Sequence, residues 1–216
     1  MTLDLDPRCY LAKGGGSLVF QHPERPDWLI KVFRPKRSPN RWRRLRPMRR
    51  KYGRMHEWML EYDHYIRTLH RIGHCPDYLP RMFGFADTSL GPGQVVEKVT
   101  DAGSPEMART VRQYIAEGGE WPPLERAIER FFDQVGRDRV VFWDLSPSNL
   151  CVVADRAGRP VRLVAVDGLG ERTLIPLRSS VGWARAIWHA QSRRRFLAEA
   201  RRAHAAIHGA PTPALG

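Results

Sequence analysis

Three side chains in the second half of the chain have the types and spacing needed to move a phosphoryl group. Asp144 is followed five positions later by Asn149, within Asp144-Leu145-Ser146-Pro147-Ser148-Asn149, and Asp167 stands directly before Gly168. An aspartate can orient a hydroxyl or a water and accept its proton. An asparagine can give an amide oxygen to a metal, and a second aspartate can bridge that metal to phosphates. Hard oxygen ligands on separate loops suit magnesium, which keeps waters and phosphates in its shell. The Asp-x-x-x-x-Asn spacing alone would also fit a capped turn. The apolar runs on either side of it and the following Val166-Asp167-Gly168 favour the chemical reading.

The first half offers partners for phosphate. Gly14-Gly15-Gly16 separates two short apolar runs. Glycines there would let backbone N–H groups approach phosphate oxygens, although three glycines in a hairpin are commonly only a turn. Lys31 interrupts Leu29-Ile30-Lys31-Val32-Phe33. A lysine in such a strand either points to water or faces a partner charge, and the first arrangement is the commoner. An acid for it would come from the next helix, where Glu61 flanks the apolar stripe and Glu57 lies one turn earlier on the same side. Either glutamate could equally be a surface residue.

The elements that would position these groups follow from periodicity. Residues 10–33 read as strand, glycine turn, strand, Pro-rich turn and strand in an antiparallel meander. Met55, Trp58, Met59, Tyr62, Tyr65, Ile66 and Leu69 recur at three- and four-residue spacing, which predicts an amphipathic helix. Strands are expected near Met82–Phe85 and at Gln94–Val99. Beyond residue 100, helices are expected at about 106–117 and 123–136. A hairpin is expected from Leu150–Val153 and Val161–Val166, and a closing helix from about 180 to 207. The chain thus divides into 1–99, rich in strands, and 100–216, mainly helical.

Composition bounds the rest. A net charge of +13, from 36 Lys and Arg against 23 Asp and Glu, points to an anionic partner. From Arg34 to Arg54 there are eleven basic residues and no acid, and a second run sits at Arg193-Arg194-Arg195. Such runs are as often a solvated surface as a binding site. No apolar run is long enough for a transmembrane segment, and the acidic start has no signal-peptide character. Cys9, Cys75 and Cys151 have no metal-ligand spacing and read as reduced thiols, so a cytoplasmic location is expected.

The order of glycine loop, strand lysine, helix glutamate, Asp…Asn and Asp-Gly resembles the protein-kinase-like fold. It is most similar to the YrbL family, named as a PhoP regulatory network protein. The resemblance rests on Phe20-x-His22-Pro23-Glu24, Ile30-Lys31-Val32 and Leu145-Ser146-Pro147-Ser148-Asn149-Leu150-Cys151. Above all it rests on Asp167-Gly168-Leu169-Gly170-Glu171-Arg172-Thr173-Leu174-Ile175-Pro176-Leu177. It implies an α+β, bilobal fold with a small antiparallel-sheet N-lobe and a short, mainly helical C-lobe. It also implies ATP and Mg2+ as cofactors, with Gly14, Gly15 and Gly16 over the nucleotide. Lys31 would contact the α- and β-phosphates and pair with Glu61. The backbone from Glu97 to Val99 would lie against adenine, Asn149 and Asp167 would hold magnesium, and Asp144 would take the catalytic-base position.

The sequence also departs from the kinase pattern. Phe142-Trp143 replaces the His-Arg before the catalytic aspartate, Ser146 replaces the usual lysine, and Asp167-Gly168 lacks the intervening phenylalanine. No Ala-Pro-Glu follows. The expected function is an ATP/Mg-dependent phosphotransferase whose acceptor is a small molecule or lipid-linked group and not a peptide. The alternatives are a pseudokinase regulator that binds nucleotide or protein, and an anion- or nucleic-acid-binding protein that uses Arg34–Arg54.

Overall fold

The computed structural model describes residues 2–14, 16–34, 52–171 and 181–209. Gly15, most of the basic run, residues 172–177 of the motif and the end of the chain lie outside the described residues. The chain divides into two compact units, Met1–Arg67 with Pro80–Lys98, and Thr68–Leu79 with Val99–Gly216.

The first unit is built on one five-stranded antiparallel sheet in the order β1-β2-β3-β5-β4. Its strands are β1 (Ala12–Lys13), β2 (Ser17–Gln21), β3 (Trp28–Phe33), β4 (Met82–Thr88) and β5 (Gly91–Glu97). The Pro-rich turn between β2 and β3 is fixed by Gln21, whose amide donates to the carbonyls of Arg25, Pro26 and Trp28. The alternation of β3 sends Ile30 and Val32 to one face, where they pack with Leu5 and Phe20. Its other face carries Leu29, Lys31 and Phe33. Helix α1 (His56–Ile72) covers that face, since Trp58 stacks on Phe33 at 3.6 Å between ring centroids and also meets Phe85. β5 lies close against β3 because residue 93 is glycine: a Cβ there would stand 2.6 Å from the Ile30 side chain.

The buried line of α1 differs from the apolar stripe. Trp58, Glu61, Tyr65 and Thr68 are buried, Tyr62 and Leu69 only partly so, and Ile66 is exposed. A carboxylate and a hydroxyl therefore occupy positions on the helix that apolar spacing assigns elsewhere.

The second unit is mainly helical, with α2 (Val111–Ala116), α3 (Trp121–Arg137) and α4 (Gly182–His208), and one hairpin of β6 (Leu150–Ala154) and β7 (Pro160–Ala165). Helix α2 starts later than the expected 106. Met107 bridges to Thr100 and the Ala108 N–H donates to the Val99 carbonyl, which holds this stretch extended. A capping box of Thr110 and Gln113 then opens the helix. Leu124, Ala127, Ile128, Phe131, Phe132 and Val135 of α3 are buried, with Phe196 and Ala200 of α4. Polar tethers flank this contact: Arg193 pairs with Glu129 and Asp133, and Arg201 with Glu125. One of the three consecutive arginines is thus spent inside the unit. Every residue of β6 is buried, as expected for a strand whose residues are all apolar. Both units together give the expected α+β class, an antiparallel sheet in one and a helical majority in the other. Among the described residues no helix is long and apolar enough to cross a membrane.

Candidate functional site

Asp144, Asn149 and Asp167 are brought to one place in the second unit by backbone pairing. Phe142 bridges to Leu169, the Trp143 N–H donates to the Gly168 carbonyl at 2.8 Å, and the Gly170 N–H donates to the Val141 carbonyl at 2.8 Å. One turn of chain away, the Val166 N–H donates to the Asn149 carbonyl at 3.0 Å. The segments bearing the two aspartates therefore run side by side, with the asparagine closing the far end. Between them, the Asn149 N–H donates to the Ser146 carbonyl and forms the turn around Pro147.

The Asn149 side chain points its amide nitrogen at Asp144, donating to the backbone carbonyl at 3.1 Å and to the carboxylate Oδ2 at 3.2 Å. Two acceptors on one side fix the amide, because rotating it would set oxygen against oxygen. Its own carbonyl oxygen is left as an acceptor for something else. Asp167 is exposed, and its Oδ1 accepts the Gly168 N–H at 2.8 Å. Among the described residues no three His, Cys, Asp or Glu side chains form a group able to hold a metal. Asn149 with Asp167 is a sparser set, of the size magnesium uses when phosphates and water complete its shell.

Gly168 is required here. Its φ is +83°, and a Cβ would lie 2.6 Å from the Asp144 carbonyl oxygen. That carbonyl is the one that orients Asn149, so the Asp-Gly pair and the Asp…Asn pair are a single piece of geometry. Phe142, where the kinase pattern has His, is a packing residue: it is buried against Phe131.

Arg112 escaped the sequence reading. From the first turn of α2 its N–H donates to the Pro147 carbonyl, and its side chain reaches the Ser148 hydroxyl at 2.8 Å and Glu199 of α4 at 3.7 Å. It steadies the outer side of the loop. The one local signal was the Thr110-x-x-Gln113 box that starts its helix.

In the first unit, Lys31 sits in register with Val19 of β2 and Gln94 of β5, on the sheet face that α1 covers. Glu61 is buried on α1, whereas Glu57 has 38% of its side chain exposed beside His56. Of the two candidate acids, the buried one is Glu61. Around the glycine turn, Gly14 donates to the Ser17 carbonyl, and the carbonyls of Gly14 and Gly16 accept from Arg34. Gly15 lies outside the described residues. Glu97 ends β5, its N–H donating to the Arg81 carbonyl while its carboxylate accepts the Arg81 N–H. The chain passes from the first unit to the second between Lys98 and Val99, and Val99 is buried with Ala108, Cys151, Val153 and Val164.

No curated protein matches the chain. The solved structures that resemble it include two of WbdD. A crystal structure of WbdD has a TM-score of 0.46 at 14% identity, covering 82% of this chain and 35% of that one. A crystal structure of monomeric WbdD has a TM-score of 0.44 at 14% identity, covering 86% of this chain and 37% of that one. The chain thus spans little more than a third of those proteins. The sequence model of the family described as PhoP regulatory network protein YrbL matches residues 3–202, nearly the whole chain, and the chain belongs to that family.

Proposed function

We propose that the chain is an ATP- and magnesium-dependent phosphotransferase of the kinase-like superfamily, acting on an acceptor that is not a peptide. The observation that carries this reading is the Asp144–Asn149 pair, with an amide oriented by its neighbour so that its carbonyl oxygen is left for another partner. Asn149 and Asp167 would hold magnesium, which when bound supplies positive charge to the phosphates. Asp144 orients the acceptor hydroxyl and takes its proton at the carboxylate. Lys31, charge-paired with Glu61, holds the α- and β-phosphates, and the glycine turn brings N–H groups to them. A small-molecule or lipid-linked acceptor fits a sequence without the Ala-Pro-Glu that marks a peptide platform.

A specific feature favours a second reading, that of a nucleotide-binding regulator. Phe142 and Ser146 stand where a catalyst would keep charged groups, and both serve the fold, one by packing and one by closing a turn. Magnesium–ATP titration with slow ATP hydrolysis as the assay separates the two. Saturation at 100 times the dissociation constant adds ~2.7 kcal/mol of stability in either case. Asp167→Asn should weaken binding and turnover together. Asp144→Asn should keep affinity near normal and reduce turnover by ~100-fold or more. Wild type that binds magnesium–ATP yet hydrolyses it no faster than Asp144→Asn is a regulator.

A further inference from the structure

Gln94 is the most fully enclosed polar side chain among the described residues, at 0% exposure, and its Oε1 receives no hydrogen bond. Its position is telling. Gln94 is the direct cross-strand partner of Lys31 on β3 and of Phe85 on β4. Directly opposed residues of an antiparallel pair share a face, with Cβ atoms ~5 Å apart. That face is the one under α1, because Phe33, two residues from Lys31, and Phe85 both pack on Trp58. The amide nitrogen of Gln94 is turned toward β4, 3.9 Å from the Met82 sulfur. A thioether is only an acceptor, so it takes the NH2 end and leaves the carbonyl oxygen for the other side. On that other side runs β3, with Lys31 in register.

We infer that Gln94 is a positioning residue for Lys31, its Oε1 providing a neutral acceptor at which the ammonium docks. The inference rests on the reading of Lys31 as the phosphate-contacting lysine. A second acceptor beside the acid on α1 gives the lysine two stations, one anionic and one neutral. Moving to the neutral one keeps the charge hydrogen-bonded but not neutralised, so its field is left for phosphate. The side chain is long enough for this: a lysine spans the cross-strand gap without any change of backbone.

The test reads the lysine directly. The chain has five lysines, Lys13, Lys31, Lys36, Lys51 and Lys98, so 15N-ammonium NMR can resolve them, with Lys31→Met giving the assignment. Gln94→Leu is expected to speed exchange of the Lys31 ammonium hydrogens with water by about tenfold and to raise the magnesium–ATP dissociation constant by about tenfold. Its melting temperature should change little, since an apolar side chain of similar size fills the same enclosed space. Gln94→Glu, which restores an acceptor of the same shape, should return the slow exchange. An unchanged Lys31 signal in Gln94→Leu overturns the inference, whatever happens to stability, and leaves Gln94 a packing residue. Should Gln94→Leu fail to fold, Gln94→Met is read in its place by the same criteria. Wild type that does not bind magnesium–ATP defeats the phosphotransferase reading, while the ammonium signal still decides the role of Gln94.

Discussion

The two glycine-bearing turns at the candidate chemistry are held to glycine by different demands. At Gly168 the chain itself requires it: φ is left-handed and an added methyl group would strike the Asp144 carbonyl. At Gly14 and Gly16, between β1 and β2, it does not. Neither Gly14 nor Gly16 has a positive φ, a Cβ on Gly16 would meet nothing within 4 Å, and one on Gly14 would make an ordinary contact with the Ser17 carbonyl. A glycine that the fold does not need is accounted for by what must approach it, and a phosphate oxygen seeking backbone N–H groups is such a visitor. One turn is shaped by its own packing; at the other, Gly14 and Gly16 leave room that phosphate would use on the proposed reading.

The sharpest way to break that contrast is Gly168→Ala. The left-handed backbone and the collision with a backbone carbonyl, which no rotamer relieves, should together cost roughly 3–5 kcal/mol in urea unfolding. A loss under ~1 kcal/mol would mean the loop shifts freely and the contrast fails. Gly16→Ala should do the reverse. Stability should move by no more than ~0.5 kcal/mol, while magnesium–ATP binds about tenfold more weakly, or ~1.4 kcal/mol. If stability falls and affinity holds, the turn glycines belong to the fold after all.

The smallest effect is one of pH, and it falls on the second unit. Burial holds His189 below its ordinary value, with the nearby Arg185 charge adding to it, and neither ring nitrogen has a hydrogen-bond partner. Burial likewise lowers His204, helped by His208 and opposed by the hydrogen bond that its ring gives to the Gly119 backbone. Below the ordinary histidine value of 6.5 the unfolded chain therefore takes up protons that the folded chain refuses. Their contribution is complete above that value and is lost as pH falls through the lowered folded values. The melting temperature should drop between about pH 7 and pH 5, and His189→Leu should flatten the slope. An identical slope in that variant would remove His189 from the account.

Much of the fold was legible because local signals agreed with the tertiary result. The β1–β3 meander, α1, the β6–β7 hairpin and α4 all follow from turn residues and periodicity. Where the two disagreed, long-range pairing won. β5 was expected at 94–99 but runs from Gly91 to Glu97. Gly91-Pro92-Gly93 reads as a turn, yet it pairs with β4, and Gly93 is what lets β5 lie against Ile30. Glu61 was placed beside the buried stripe of α1 because counting apolar residues cannot see a buried acid. At the site, Asp144, Asn149 and Asp167 were legible from residue type and spacing. What orients them was not, since the contacts of Arg112 with Pro147 and Ser148 join residues far apart in sequence.

The paired segments around Asp144 and Asp167 also bear on how the chain assembles. Bonds from Val141–Trp143 to Gly168–Gly170, and from Asn149 to Val166, join stretches on either side of a single short hairpin. The sheet of the first unit must instead bring residues 28–32 to residues 93–97 across α1 and β4. Loop-closure entropy rises with the length enclosed, and slow folding follows from distant partners. Residues 141–170 therefore meet at a lower entropic barrier than β3 and β5 do. The relative placement of both aspartates and the asparagine is settled within about thirty residues of chain, however slowly the five-stranded sheet closes.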